Sequence, residues 1–318
     1  MLAIKELYKE QLENWPLVTT NYAQLQSAIY REFVFEGFTV KAQFNPERIR
    51  SANAKVDAQS VQQRACFLCP ANLPEVQKKI AYPPHYNILV NPYPIFPEHL
   101  TIADQRHLRQ SIEGRAEDML RLAQDLQAHI LLYNAPESGA SAPDHFHFQA
   151  VNKGCMPIEQ DITEAGNKLL LKEGKEGNIY CLKNYLRTAF LLESANITWL
   201  QENFKQILYT MNDLHSGQTE PKCNLMLWFE NGTGHWVIFP REKHRPTAFY
   251  ETGDAQLLVS PGIVDMAGLL VIAREEDFEK LNADLIRDIY AQVSISEEEA
   301  QKIKDKLKCT QEKRAVLL

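Results

Sequence analysis

The chain has 318 residues, of which 45% are hydrophobic and 24% are charged, and its formal net charge is −7. These values are typical of a globular protein, and the negative charge argues against general nucleic-acid binding. No apolar run approaches the roughly 20 residues that a membrane-spanning helix needs. The first residues also lack the apolar centre of a signal peptide, so we expect a cytoplasmic protein.

Helical and strand patterns are both present in the sequence. Apolar residues at helical spacing predict helices, and alternating or short continuous apolar runs predict strands. The predicted helices are a peripheral segment over residues 1–32, residues 109–130, residues 196–214 and a surface helix from residue 296. The predicted strands cover residues 38–44, 87–91, 100–102, 145–149, 224–227 and 235–239. This mixture predicts an α+β fold.

A basic segment follows the first predicted strand. Asn45-Pro46 breaks that strand, and the next residues include Arg48, Arg50 and Lys55 with few apolar neighbours. Arginine and lysine suit contacts to phosphate groups, because their side chains are positively charged and donate hydrogen bonds. A solvated surface loop has the same composition. The three residues are therefore candidate substrate contacts, and the surface loop is the alternative.

Cys66-Phe67-Leu68-Cys69 forms a C-x-x-C motif. Six cysteines in a chain of this length do not indicate a disulfide scaffold. Two thiolates at this spacing can bind one metal ion, with the remaining ligands supplied from elsewhere in the chain. A redox role would need a thioredoxin-like β-α-β context, which the proline-rich surroundings do not provide. The motif therefore predicts a metal site.

The stretch Asp144-His145-Phe146-His147-Phe148-Gln149 alternates with period two. In a strand, His145, His147 and Gln149 would share one face, and the two phenylalanines would pack into the core on the other. Two imidazoles this close suit either a metal site or a nucleophile with a supporting neighbour. The simpler alternative is an exposed strand edge with incidental histidines.

A weak internal repeat relates two parts of the chain. Asn224-Leu225-Met226-Leu227, a glycine turn and His235 have the same layout as Asn87-Ile88-Leu89-Val90, a proline turn and His99. The spans from Asn to His are 11 and 12 residues (235 − 224 and 99 − 87). Repeated supersecondary units suggest two similar halves.

A basic cluster ends the second copy of this repeat. Arg241, Lys243 and Arg245 lie within five residues of one another. Their side chains are candidate contacts to a phosphate or a sugar phosphate, because both ligands are anionic. An ordinary solvated loop is the alternative explanation for the same residues.

The His-x-His-x-Gln strand resembles the active-site strand of the histidine-triad superfamily, in the branch whose last histidine is replaced by glutamine. This branch contains galactose-1-phosphate uridylyltransferase, the diadenosine tetraphosphate phosphorylases and the GDP-hexose phosphorylases. Met156-Pro157-Ile158-Glu159 looks most like the GDP-hexose phosphorylase sequence. Upstream, Pro97-Glu98-His99-Leu100-Thr101-Ile102 is similar to the superfamily's strand before its main helix.

The resemblance implies a role for each residue of these motifs. His147 would be the nucleophile, and Gln149 would contact the phosphate. Asn134 and Ser141 are further candidate substrate contacts, although the family often has serine or threonine where this chain has Ala142. A closed, structural zinc site would be formed by Cys66, Cys69, His107 and His145, with His99 and His85 as alternatives to His107.

The resemblance also predicts the organisation of the chain. It implies two tandem histidine-triad-like halves, each an antiparallel sheet packed with helices. Residues 1–158 would form the catalytic half with the zinc site and the His-x-His-x-Gln strand, and residues 159–318 a second half that lacks this strand. Uridylyltransferases of this type are dimers, so a homodimer is implied, although no segment specifies an interface.

The implied function is a nucleotidyltransferase or phosphorylase that acts on a nucleoside diphosphate sugar. The reaction would pass through a covalent nucleotidyl-histidine intermediate with ping-pong kinetics. One alternative is a dinucleoside polyphosphate phosphorylase or nucleotide hydrolase on the same scaffold. A second alternative is a non-catalytic, zinc-stabilised nucleotide-binding protein. In each case the expected partner is a nucleotide, and neither nucleic acid nor a membrane is expected.

Overall fold

The computed structural model describes residues 2–49, 56, 58–214 and 220–315. The strands are β1 (Ile29–Phe35), β2 (Phe38–Phe44), β3 (Lys79–Tyr82), β4 (Tyr86–Val90), β5 (His99–Asp104), β6 (His129–Asn134), β7 (His147–Asn152), β8 (Lys168–Lys172), β9 (Asn178–Leu182), β10 (Phe190–Ser194), β11 (Cys223–Glu230), β12 (Thr233–Pro240) and β13 (Leu269–Ile272). The helices are α1 (Leu2–Asn14), α2 (Pro16–Leu25), α3 (Ala58–Gln63), α4 (Ala116–Asp125), α5 (Pro157–Asp161), α6 (Ile197–Leu214), α7 (Ile263–Met266), α8 (Glu275–Lys280), α9 (Ala283–Val293) and α10 (Glu297–Ala315). Within the described ranges, every helix is too short or too polar to cross a bilayer.

Ten of these strands form one antiparallel sheet in the order β3-β4-β5-β7-β6-β11-β12-β10-β9-β8. The first five strands in this order come from the first half of the chain, and the other five come from the second half. The two sets meet where β6 pairs with β11, with Tyr133 opposite Leu225. The α+β class and the two tandem halves are therefore confirmed, and their sheets join into one. The division at residue 158 stays a prediction.

The large sheet separates two hydrophobic cores. Phe146 and Phe148 pack on one face with residues of α1, α4, α6 and α10. Leu132 and Met226 pack on the other face with α5, α7, α9 and the small sheet β1-β2-β13. Neighbouring residues of a strand point to opposite faces, so β7 turns its polar residues toward the second face. That face carries the candidate site.

Two predicted helices are shorter than the sequence pattern suggested. The helix predicted over residues 109–130 covers only Ala116–Asp125, because Gly114 adopts a φ of +72° in the turn before it and residues 129–134 form a strand. The helix predicted over residues 1–32 ends at Leu25, and β1 begins at Ile29. This segment is also not peripheral, since Trp15 is buried in the core.

Candidate active site and metal cluster

β7 presents the polar face that the sequence predicts. The strand lies between β5 and β6 and pairs antiparallel with both. Phe146 and Phe148 are fully buried on the core side, with ring centroids 4.9 Å apart. His147 and Gln149 consequently lie on the opposite face, and His145 precedes the strand on the same side. The alternative of an exposed strand edge does not hold, because β7 is an interior strand.

Four side chains converge beside the start of β7. One ligand atom from each lies within 4.8 Å of the other three, and the residues are Cys66, Cys69, His107 and His145. Cys66 Sγ is 3.3 Å from His145 Nδ1, and Cys69 Sγ is 3.1 Å from His107 Nδ1. Two thiolates and two imidazole nitrogens are the donor set of a tetrahedral metal site. This cluster could therefore hold a metal ion.

The tautomer of His145 is fixed by a hydrogen bond from Nε2, the ring nitrogen that points away from the cluster. Nε2 lies 2.7 Å from the carbonyl oxygen of Asp104, so Nε2–H donates and Nδ1 keeps its lone pair for the cluster. The Asp104 carboxylate is itself buried and accepts from Arg106 and Arg115 at 2.9 Å each. The residue whose carbonyl accepts from His145 is therefore itself held by two arginines.

The two alternative ligands lie outside the cluster. His85 Nε2 is 2.8 Å from the guanidinium of Arg115 and 3.3 Å from the Asp104 carboxylate. His99 is fully buried and bonds Gln149 instead. Within the described residues, His107 is therefore the histidine that completes the set with His145.

His147 is buried, and its ring is held by the preceding backbone. Nδ1 is 2.9 Å from the carbonyl oxygen of His145, so Nδ1–H donates and Nε2 carries a lone pair. Burial lowers the pKa of the ring to about 4, so the ring is neutral near pH 7. The buried Gln110 side chain accepts the His147 N–H at 2.8 Å and donates to its carbonyl at 3.0 Å. The ring thus has the protonation state that a nucleophile needs.

Gln149 is oriented by His99. The N–H of Ile95 donates to His99 Nδ1 at 3.2 Å, so the proton of this ring lies on Nε2, which donates to Gln149 Oε1 at 2.7 Å. Burial and the nearby charge of Arg48 lower the pKa of His99 to about 3, which keeps the ring neutral. Because Oε1 is occupied, the NH2 group of Gln149 is the part left to donate to a ligand.

A cavity of about 420 Å³ lies over this face of the sheet. His147 and Gln149 lie in its wall with Arg48 and Ser141. The apolar part of the wall consists of Trp15, Leu17, Phe67, Leu68, Leu73, Pro74, Leu89, Pro92 and Tyr93. Such a lining suits a flat aromatic ligand with an anionic group near the two polar strand residues.

A narrower cavity of about 80 Å³ adjoins the first. It shares Arg48, Ser141 and Gln149 with the larger cavity. Its opposite wall comes from the second half of the chain and includes Arg245, which donates to Ser260 Oγ at 2.9 Å. The wall also contains the Asp265 carboxyl group, whose pKa burial raises to about 6. Two guanidinium groups, hydroxyls and an amide are the groups of this wall that suit an anion.

A close backbone contact brings the second half to this small cavity. Gly139 has a φ of +98°, and a Cβ there would lie 2.7 Å from Gly262 Cα. Glycine is required at this position because both the conformation and the approach exclude a side chain. Asn134, which also lines the cavity, accepts from the Ile263 N–H and from Asn224 Nδ2 at 2.7 Å each.

Arg241 and Lys243, two of the basic residues predicted to contact the substrate, lie away from both cavities. Arg241 is only 1% exposed, and its guanidinium donates to Asn224 Oδ1 and to the carbonyls of Pro261, Val293, Lys243 and His244. The Lys243 side chain is exposed, and neither residue lines the two cavities. The chain turns Arg241 inward after β12, so this guanidinium connects loops instead of facing a ligand. Arg50 and Lys55 lie outside the described residues.

Two residues, His99 and Gln110, organise the site without a sequence pattern that predicts this role. His99, for which the sequence predicts a strand position and an alternative metal-ligand role, lies on β5 opposite β7 and orients Gln149. Gln110 was placed in a predicted helix, but it lies in the loop before α4 and bonds the backbone of His147. The resemblance of Pro97-Glu98-His99 to the superfamily's strand is a signal for the histidine, whereas nothing local to Gln110 indicates its contact.

Known families match both halves of the chain. Residues 7–152 match the family model described as domain of unknown function (DUF4922). Residues 159–314 match the model described as GDPGP1-like, C-terminal domain. Among curated proteins, none matches this sequence.

Solved structures of yeast Ap4A phosphorylase Apa2 have the same fold. The complex with Ap4A matches with a TM-score of 0.65 and 14% identity over 92% of this chain and 96% of that chain. The structure without a named ligand gives a TM-score of 0.60 and 16% identity over 88% and 96%. The complex with AMP gives a TM-score of 0.56 and 15% identity over 88% and 95%.

The fold and the polar strand together define a protein with two histidine-triad-like halves and one His-x-His-x-Gln strand. The yeast structures show that this two-half fold is shared along nearly the whole chain, and the GDPGP1-like match covers the second half. The comparisons therefore show the fold of nearly the whole chain and a family match for each half.

Proposed function

We propose that this chain is a nucleotidyltransferase of the phosphorylase type, with His147 as its nucleophile. One observation carries the proposal. The His147 ring is neutral and lines the larger cavity, and its proton is held on Nδ1 by the His145 carbonyl, so Nε2 can attack. The yeast protein with the same fold is described as an Ap4A phosphorylase and binds Ap4A and AMP. We expect a nucleoside diphosphate sugar or a related nucleotide as the substrate.

The first chemical step transfers the nucleotidyl group to the protein. The lone pair of His147 Nε2 forms a bond to the α-phosphorus, and the bond from phosphorus to the bridging oxygen breaks. The electron pair of that bond leaves on the departing phosphate or sugar phosphate. The ring becomes positively charged, and its Nδ1 proton stays bonded to the His145 carbonyl, which stabilises this charge.

The second step regenerates the ring. An oxygen of phosphate or of a sugar phosphate attacks the same phosphorus, and the bond to Nε2 breaks with its electrons returning to the ring. Gln149 donates to a non-bridging oxygen in both steps and cannot act as a general acid. Phosphate leaving groups need little protonation, so the absence of an acid at this position is compatible with the reaction.

The narrow cavity is the proposed site of the leaving and entering phosphate. Arg48 and Ser141 lie in the wall of both cavities, and Arg245 lies in the narrow one. These donors would neutralise the charge that moves from the bridging oxygen to the departing group. Arg50 and Lys55, which follow Arg48 in the sequence, stay candidate contacts. Asn134 would contribute its amide to the same anion.

The proposed metal is a structural zinc ion. The four residues of the Cys/His cluster supply two sulfur and two nitrogen ligands, which matches a closed zinc site, and hard cations do not favour thiolates. With four protein ligands no position is open for water, so zinc would hold the C-x-x-C loop and the start of β7 in place. The His147 and Gln149 side chains carry the chemistry.

Trapping of the intermediate tests the function. The intact protein is incubated with nucleotide sugars and dinucleoside polyphosphates, with and without phosphate, and its mass is measured. We expect one nucleoside monophosphate to be added, and phosphate to remove it. His147→Ala should not label, while His235→Ala, on β12 away from the site, should label as the wild type does. Labelling of His147→Ala would refute the assignment of the nucleophile.

The same experiment separates the alternative substrates. Release of a sugar phosphate identifies a nucleotide sugar, and release of a nucleoside polyphosphate identifies the dinucleoside polyphosphate activity. If water removes the label when no phosphate is present, the protein is a hydrolase. If binding occurs without labelling, the chain is the non-catalytic nucleotide-binding protein. The homodimer that the resemblance implies is tested separately by sedimentation of the purified protein.

A further inference from the structure

One carboxyl group lies in the wall of the narrow cavity among its cationic groups. Asp265 belongs to α7, and it lines this cavity together with Arg48 and Arg245. The larger cavity has no Asp or Glu among the described residues of its wall. A carboxylate beside a bound anion is unfavourable unless the anion brings a hydrogen-bond donor, because like charges and paired acceptors repel each other. Asp265 therefore restricts the kind of anion that the cavity can hold.

The Asp265 carboxylate has acceptor positions that the protein does not use. Oδ2 accepts from the Gly262 N–H at 2.8 Å, and Oδ1 accepts from the Val271 N–H at 3.0 Å. An ionised carboxylate offers about four lone pairs, so these two bonds leave about two of them available. Among the described residues, no side chain donates to either oxygen. A molecule in the cavity is the remaining source of a donor.

The charges around this carboxylate leave it ionised in weakly basic solution. Burial raises the pKa of Asp265 to about 6, and the charge of Arg48 opposes this rise. The Arg48 guanidinium donates to the Tyr93 carbonyl at 2.8 Å, and that of Arg245 donates to Ser260 Oγ at 2.9 Å. His244, which also lines the cavity, is neutral because burial lowers its pKa to about 3. At about pH 8 the wall thus combines two cations with one carboxylate.

The size of the narrow cavity favours a small tetrahedral oxyanion. Its volume of about 80 Å³ is about one fifth of the 420 Å³ of the larger cavity (80/420). Hydrogen phosphate is small and tetrahedral, and at about pH 8 it is a dianion that keeps one P–OH group. Sulfate has a similar size and the same charge but carries no proton. The two anions therefore differ in the one group that could donate to Asp265.

We propose that Asp265 is a specificity-determining residue that selects hydrogen phosphate, and other protonated oxyanions, over sulfate. This inference rests on the proposed function and adds the chemical class of the acceptor. The P–OH group donates to the carboxylate, and Arg48 and Arg245 neutralise the other oxygens. An unprotonated oxygen attacks the nucleotidyl phosphorus, and the P–OH proton stays on the phosphate. Asp265 thus takes no proton in the reaction, and its negative charge disfavours an anion without a donor.

Competition between anions tests the inference in the wild-type protein. The protein is labelled with the nucleotide that increases its mass, and removal of the label by phosphate is followed at about pH 8. Arsenate, which also keeps one OH group, should remove the label. Sulfate in about tenfold excess should slow removal by phosphate no more than chloride does at the same ionic strength. We expect sulfate to bind about a hundredfold more weakly than phosphate, since it gains no hydrogen bond and meets a negative charge.

Asp265→Asn removes the negative charge and keeps the size of the side chain. The two affinities should then lie within about tenfold of each other, because an amide can donate to a sulfate oxygen. Asp277→Asn is the matched control. Asp277 is also buried and accepts a backbone N–H, that of Leu258 at 3.0 Å, but it is not among the described residues that line either cavity. A purely structural role of Asp265 would lower stability in both variants and leave the ratio of the anion affinities unchanged.

The outcomes separate this inference from the proposed function. Sulfate that competes with phosphate at equal affinity in the wild type would overturn the inference, even if the variant did not fold. Full discrimination in Asp265→Asn would also overturn it, and so would a variant that binds a hexose 1-phosphate more weakly but both inorganic anions unchanged, since the carboxylate would then serve a sugar hydroxyl. In all three cases removal of the label by phosphate leaves the proposed function standing. If no nucleotide labels the protein, the proposed function fails and the inference fails with it.

Discussion

The buried guanidinium of Arg241 joins three loops of the second half, and its removal has a calculable effect. Five hydrogen bonds are made, of which the three to Val293, Asn224 and Pro261 are fully buried. The two to Lys243 and His244 are partly buried, so water can replace the arginine there. Arg241→Met keeps most of the side-chain volume and removes all five donors.

The expected loss of stability follows from the buried acceptors. The Val293 carbonyl keeps a second donor, the Glu242 N–H at 3.0 Å, so among the described residues Asn224 Oδ1 and the Pro261 carbonyl are the two acceptors that lose their donor. An unsatisfied buried acceptor costs about 1–3 kcal/mol, which gives about 2–6 kcal/mol for two of them. Methionine also removes the desolvation cost of a buried cation, so the net loss lies near the lower part of that range, at about 2–4 kcal/mol. This is a large fraction of the stability of an ordinary domain.

Urea unfolding followed by tryptophan fluorescence measures this loss. The control is Lys243→Met, which removes an exposed amine two residues away and should change the free energy of unfolding by less than about 0.5 kcal/mol. If Arg241→Met instead left stability unchanged and raised KM more than tenfold, the guanidinium would contact the substrate. The structural role given to Arg241 would then be wrong.

Three further substitutions test other parts of the site. Cys66→Ser should lower zinc content, measured by mass spectrometry, together with Tm, whereas Cys155→Ser should change neither; equal zinc in the two variants would contradict the cluster. His99→Leu should slow nucleotidyl transfer about tenfold to hundredfold, because the Gln149 amide would no longer be oriented and would lose its hydrogen bond to a phosphate oxygen of the substrate. An unchanged rate would show that His99 is not needed to orient Gln149. Gly139→Ala should lower Tm in thermal denaturation more than Gly154→Ala, because both glycines have positive φ but only the first meets backbone within 3 Å; equal losses would mean that the contact does not matter.

The polar strand could be predicted from sequence because its signal is local. Alternation in His145-Phe146-His147-Phe148-Gln149 fixes the two faces of a strand wherever the strand lies. The C-x-x-C motif likewise predicted a metal site from four consecutive residues. His107 was different, since only the resemblance connected it with Cys69, 38 residues away in the chain.

Features that depend on distant contacts could not be predicted in this way. Arg241 looked like an anion contact because the sequence shows its charge but not its direction, and its partners extend to Val293. Gln110 and His147 are 37 residues apart, and no periodicity links the loop before α4 to β7. The N-terminal segment was predicted to be peripheral, because helical spacing does not show whether a face of the helix packs on the sheet.

His145 connects the Cys/His cluster to the proposed nucleophile, His147, through two different atoms. Its ring Nδ1 belongs to the cluster, and its carbonyl oxygen accepts the His147 Nδ1 proton at 2.9 Å. The ligand and the tautomer-fixing acceptor are therefore parts of one residue. If the proposed zinc were removed, the His145 ring would be released and its carbonyl could move, so the His147 tautomer would no longer be fixed.

This connection predicts that metal loss slows the chemical step itself. In Cys69→Ser, the single-turnover rate of labelling at saturating nucleotide should fall about tenfold or more, because misplacement of a reacting group by about 1 Å has an effect of this size or greater. Nucleotide affinity should fall less. The opposite result, weaker binding with an unchanged labelling rate, would mean that the metal only shapes the cavity wall through Phe67 and Leu68, which lie between the two cysteines.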